Sequence, residues 1–170
     1  RFLEKIYSEA GHLIGLIDNI MKLSRLDEAA GDMKNLEMVE LKKLAENTAQ
    51  RLQAQASGKN ITVCVSGCEV EVEGVPAILG EVIYNLIDNG IKYNRDGGRV
   101  DVTVAVAPGE AVLTFKDTGC GIGSADKERV FERFYRVDKS HFKETGGTGL
   151  GLSIVKHGIL FHQGRIELES

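Results

Sequence analysis

The sequence predicts an α+β fold, a two-layer sandwich in which helices cover one sheet, preceded by a single long amphipathic helix. Three observations predict it. Segments with apolar residues every three or four positions alternate with segments of period two, without a regular strand–helix–strand rhythm. The strand-like segments are joined by short turns. Glycine, with 20 of 170 residues, concentrates between Gly119 and Gly151, where it favours close backbone approach to a ligand over regular structure.

Taken in order, Leu3, Ile6, Ala10, Leu13, Ile17 and Ile20 repeat in steps of three and four over residues 1–27, the seam of a packed helix. Ile14, Leu16, Met21 and Leu23 widen it to the breadth needed by a four-helix bundle. Residues 28–35 lack periodicity and read as a linker, so the compact domain is expected over 36–170. Leu41, Leu44, Ala45, Thr48, Ala49 and Leu52 place a helix before Gly58. Ile61–Val65 and Val70–Glu73 are strand-like, with Ser66-Gly67 read as a turn between them. Pro76 opens a helix reaching about Tyr93. Val100–Val106 and Ala111–Phe115 form a hairpin about Pro108-Gly109. A short helix is expected at 126–134 and a longer one over 150–162, and Gly164–Leu168 reads as the start of a strand.

Composition narrows the function. With 42% hydrophobic residues, 27% charged and a net charge of −4, the chain is globular, and nothing points to a nucleic-acid surface. Three cysteines match no common zinc spacing and read as reduced thiols. No run approaches the ~18 apolar residues of a membrane span. The chain opens at Arg1 without a methionine and is expected to be a fragment.

The stretch Asn85-Leu-Ile-Asp-Asn-Gly-Ile-Lys-Tyr-Asn94 places Asn85, Asn89, Lys92 and Tyr93 on one side of a helix. Two amides a turn apart offer oxygens to a hard cation, the lysine can meet an anion, and the tyrosine can pack on a flat ring. A solvated polar face is the plainer alternative. Asp117-Thr-Gly-Cys-Gly-Ile122 follows directly on a strand, where a carboxylate between close-packed backbones can accept from an exocyclic amine such as adenine's. Gly146-Gly-Thr-Gly-Leu-Gly-Leu-Ser153 leads into a helix whose free N–H groups suit phosphates. It is neither a Walker loop nor a Rossmann fingerprint. Between the two lies Phe131-Glu-Arg-Phe-Tyr-Arg136, with arginines suited to phosphate and Phe131 and Phe134 expected to anchor the segment.

In this order the segments closely resemble the N box, first glycine box, F box and second glycine box of sensor histidine kinases. The resemblance covers about Leu36 to the end. Residues 1–27 look like the second helix of that family's dimerisation hairpin, and the style of Phe131–Ser140 is that of the phosphate-regulon sensors.

The resemblance implies a sandwich of the GHKL (Bergerat) ATPase type, with a mixed, mostly antiparallel sheet. It implies ATP and Mg²⁺ as ligands, the metal held by Asn85 and Asn89. Lys92 would pair with phosphate, and Tyr93 would pack near adenine or ribose. Asp117 would read the adenine amine, with Gly119, Gly121 and Ile122 beside it. Phe134, Gly147, Thr148, Gly149, Leu150 and Gly151 would line the phosphate end of a lid over roughly 119–148, and Arg136 would reach the γ-phosphate. Asn85, Lys92 and Arg136 would be the catalytic groups.

Hydrolytic ATPases of the gyrase, mismatch-repair and heat-shock chaperone group place a glutamate where Asn85 stands, to activate water. An amide cannot take that proton, and Glu81, one turn earlier, has the wrong offset. Transfer to a histidine on the hairpin of the same or a partner subunit is therefore expected, for relay to a response regulator. None of His12, His141, His157 and His162 has the neighbours of that acceptor. The full-length protein is expected to be a homodimer anchored in the inner membrane, with this domain cytoplasmic. A hydrolytic ATPase and a non-catalytic, degenerate binding module remain the alternatives. Gly90 stands where the family usually has Ala and Gly123 where Pro is common; the chain also ends before the family's last strand.

Overall fold

The computed structural model describes residues 36–137 and 148–170, together with the isolated positions 11, 14, 15, 17 and 21. The heptad seam of residues 1–27 and the linker 28–35 therefore lie almost wholly outside the described residues. Ile14, Ile17 and Met21 are helical and exposed.

Among the described residues from 36 onward there are two short sheets and three helices. Strand β1 (Glu37–Glu40) leads into helix α1 (Leu41–Ser57), followed by β2 (Thr62–Gly67), β3 (Glu71–Gly74) and helix α2 (Pro76–Lys92). Strands β4 (Arg99–Ala107) and β5 (Glu110–Asp117), a 3₁₀ turn (Arg129–Phe131) and helix α3 (Gly151–Phe161) follow. The first sheet pairs β1 with β3 antiparallel; the second has the order β2-β4-β5, with β2 parallel and β5 antiparallel to β4.

Side-chain alternation explains the layering. Along β4, Val100, Val102 and Val104 are buried against the helices while Arg99, Thr103 and Ala105 face solvent. Ile83, Ile87 and Ile91 of α2 and Ala45, Leu52 and Ala56 of α1 meet that face in one core. Helix α1 starts where the Glu40 carboxylate accepts from the N–H groups of Lys42 and Lys43 at 2.9 and 2.8 Å, a cap worth about 1 kcal/mol.

Three expectations need correction. Residues 66 and 67 are not a turn between paired strands: β2 continues through Gly67, and β3 leaves to pair with β1. The reason is Gly67, whose φ of +104° brings it against β4 so closely that a Cβ would lie 1.9 Å from the Val104 carbonyl oxygen. The helix α2 that follows makes β2 and β4 a parallel pair joined by a crossover, which short-range patterning did not reveal. Residues 164–170 form no strand, although Ile166 and Leu168 alternate correctly; Arg165 instead grips Glu110 with two bonds of 2.6 and 2.8 Å. The region expected as a helix over 126–134 holds only the 3₁₀ turn.

Gly67→Ala is expected to destabilise the domain by about 3 kcal/mol or more, because strained φ and backbone overlap add. Urea unfolding checks this; a midpoint equal to that of the wild type would refute the steric account.

Candidate functional site

Helix α2 runs past the ends of both glycine segments. Gly90 lets it lie close to the sheet: a Cβ there would meet the Val100 side chain at 3.0 Å and the Asp117 Cβ at 3.7 Å. Asp117 pairs with Val100 across β4 and β5, so it leaves the strand on the helix-facing side, at an exposed position. Its Oδ1 accepts from the Gly119 N–H at 2.8 Å, which orients the carboxylate and leaves Oδ2 for another donor. The Cys120 N–H donates to the Tyr93 carbonyl at 3.2 Å, and a Cβ on Gly119 would lie 2.5 Å from that oxygen. The first glycine segment is thereby fastened to the end of α2, beside the exposed Tyr93 ring. Gly121 has φ +70°, and the Ile122 N–H donates to Ser170 Oγ at 2.7 Å.

At the other end of the site, α3 begins against the amide face of α2. A Cβ on Gly151 would come within 2.9 Å of Asn85 Oδ1 and 3.6 Å of Asn89 Nδ2. Asn85 Nδ2 donates to the Glu81 carbonyl at 2.8 Å, which turns its oxygen toward the helix start. Among the described residues no side chain caps that N-terminus, so its N–H groups meet the Asn85 oxygen and the Asn89 amide there. Among the described residues no group of three His, Cys, Asp or Glu could hold a metal. A divalent cation here would be shared between amide oxygens and a ligand's own phosphates, the donor set magnesium accepts. The residues fit a magnesium nucleotide.

The F box and second glycine segment form one unit. The Phe134 N–H donates to the Gly149 carbonyl at 2.9 Å, and Gly149, with φ +70°, approaches so closely that a Cβ would meet the Phe134 backbone at 2.9 Å. Thr148 and Arg136 are half-buried near this junction. The Tyr135 hydroxyl donates to Asp126, and that bond above all, with desolvation next, holds the phenol above its ordinary pKa. Arg129 stacks on the Tyr135 ring at 4.2 Å. Arg133 bonds His157 Nε2 at 3.2 Å.

Several site residues sit differently from the sequence expectation. Lys92 is engaged within the protein: its ammonium lies 2.6 Å from the carboxylate of Asp88, which is buried and also accepts from Gln55 at 2.9 Å. The Leu150 side chain is fully buried with Ile78 and Ile154, so only its backbone faces a ligand. Phe134 does not anchor its segment: with φ +65° it turns outward and is 58% exposed, and Val130 is buried instead. Gly147, His12 and His141 lie outside the described residues. Sequence reasoning passed over Asp88 and Asn94; the i,i+4 spacing of Asp88 and Lys92 was the signal available for the first.

The family described as histidine kinase-, DNA gyrase B- and HSP90-like ATPase matches residues 74–170, the segment carrying both glycine boxes and the amide helix. The chain belongs to this ATPase family. Over its whole length it is 36% identical to the sensor-like histidine kinase SenX3 of Mycolicibacterium smegmatis and 35% identical to the phosphate regulon sensor protein PhoR of Pseudomonas aeruginosa. It spans 44% and 38% of those two proteins. The solved structure of the mycobacterial sensor histidine kinase MprB superposes with a TM-score of 0.66 at 33% identity, over 75% of this chain and 80% of that one. Within the ATPase family the chain is therefore a histidine kinase catalytic domain, similar to the phosphate regulon sensor and with the α+β ATP-binding fold of the histidine kinases. Among the described residues no helix is long and apolar enough to cross a membrane.

Proposed function

We propose that residues 36–170 bind Mg-ATP and transfer its γ-phosphoryl group to a histidine on a dimerisation hairpin whose second helix is residues 1–27. In the full-length protein, a membrane-anchored homodimer, that phosphate would pass to a response regulator. The observation that carries this reading is the meeting of Asn85 and Asn89 with the start of α3 at Gly151, which no side chain of the described residues caps, while Asp117 waits at the other end of α2.

Each residue has a distinct task. Asp117 accepts from the adenine amine, Gly119 and Gly121 keep that end narrow, and Tyr93 offers an apolar ring beside it. Asn85 and Asn89 are the groups that would hold magnesium, which when bound supplies positive charge to offset that of the phosphates. The first N–H groups of α3 and the flanking glycines at 149 and 151 receive phosphate oxygens. Lys92, held on the same face by Asp88, and Arg136 would add positive charge toward the γ-phosphate. None of these groups is placed as a general base for water, since the position facing the phosphates is an amide. Transfer then relies on positioning and charge neutralisation.

The test supplies this chain with a hairpin fragment bearing the acceptor histidine and with ATP labelled at the γ-phosphate. Acid-labile label on the hairpin is the expected result. Label released only as free phosphate favours the hydrolytic ATPase, and failure to bind Mg-ATP at millimolar concentration favours a non-catalytic module.

A further inference from the structure

We propose that Asn94, acting through Thr118, is a positioning residue that sets the Asp117 carboxylate for adenine. The proposal rests on the nucleotide reading above and names a residue outside the four boxes' established roles. Asn94 stands just past the end of α2, and its amide is fully used. Nδ2 donates to the Gly90 carbonyl at 2.9 Å and to the Arg99 carbonyl at 3.0 Å. Oδ1 accepts from the Arg95 N–H at 3.0 Å and from the Thr118 hydroxyl at 3.0 Å. One side chain therefore joins the amide-bearing helix, the start of β4 and the glycine box.

Thr118 completes the link. Its oxygen accepts from the Arg99 N–H at 2.9 Å while its hydroxyl proton goes to Asn94, and its own N–H donates to the Arg99 carbonyl at 3.1 Å. Thr118 is held on both sides, so the backbone of the preceding residue, Asp117, is held too. The bond that the Asp117 carboxylate accepts from the Gly119 N–H then fixes its rotation. Space around Asn94 is equally restricted, since a Cβ on Gly98 would lie 2.1 Å from Asn94 Oδ1. Among side chains of this reach, only an amide offers two donors and two acceptors. Aspartate has no donor for the Gly90 and Arg99 carbonyls, and threonine has a single one.

A purely structural cap on α2 would make the same bonds, so the test reads nucleotide choice. Guanine has a carbonyl where adenine carries its exocyclic amine, so Asp117 favours ATP alone, while the triphosphate end is common to both. Affinities for ATP and GTP are measured by competition against a fluorescent ATP analogue, for the wild type, Thr118→Val, Thr118→Ser and Asn94→Ala. Thr118→Val is expected to reduce the ATP-over-GTP preference about tenfold, the loss of one well-placed polar contact, and Thr118→Ser to restore it. Asn94→Ala is expected to match Thr118→Val, and the double substitution to add little, because both break one link. An unaltered preference in Thr118→Val, or equal weakening of both nucleotides, overturns the proposal. A wild type without preference for ATP overturns the adenine assignment beneath it, and shows this before any substitution is made.

Discussion

Asp117→Asn is expected to weaken ATP binding by about 10- to 100-fold while leaving the fold intact. The position is exposed, and asparagine keeps an oxygen to accept from the Gly119 N–H, so the turn survives. What changes is the free end. A carboxylate offers Oδ2 to the adenine amine, whereas the amide that replaces it presents N–H groups to another N–H donor. One bond is lost and two donors are left facing each other, which costs more than the absence of a contact. Calorimetry with ATP reads this, alongside thermal unfolding without nucleotide. Unchanged ATP affinity would remove Asp117 from the adenine site; a collapse in stability would assign it to the fold.

The second large effect is expected at the other end of α2. Asn89→Ala should abolish the magnesium-dependent part of ATP binding and slow transfer to the hairpin by about 100-fold or more. Asn85→Ala should act in the same sense, because its oxygen faces the same helix start. Titrating ATP with magnesium and with a chelator separates the contributions. In the wild type the two curves should differ widely, and in Asn89→Ala they should coincide. Two curves as far apart as the wild type's would show that the amide holds no metal. Neither side chain belongs to the buried core, so stability should change by less than about 1 kcal/mol.

Much of the site was legible because its parts are local. The i,i+4 spacing of Asn85 and Asn89, the glycines around Asp117 and the glycine run before α3 are patterns within a dozen residues, and their chemistry follows from residue type. Helices α1, α2 and α3 were legible for the same reason, since period, Pro76 and Gly58 are short-range signals. The strand pairing was not. Ser66-Gly67 has the composition of a turn, yet Gly67 is used to press β2 onto Val104, a contact 37 residues away. Patterning shows which residues are apolar, and nothing local says which strand will supply the partner.

By itself the sequence determined the three helices, the hairpin of β4 and β5, the two amides on α2, the glycine run before α3 and the absence of a carboxylate at position 85. Only the tertiary structure decided what those groups face. It placed Gly151 against Asn85, paired Lys92 with Asp88, buried Leu150 and turned Phe134 outward. It also tied Asn94 to Thr118 across 24 residues. The physical reason is range: local propensities and side-chain chemistry are properties of short segments, whereas the direction of a side chain depends on how closely two backbones approach. Here glycines at 67, 90, 149 and 151 set those approaches.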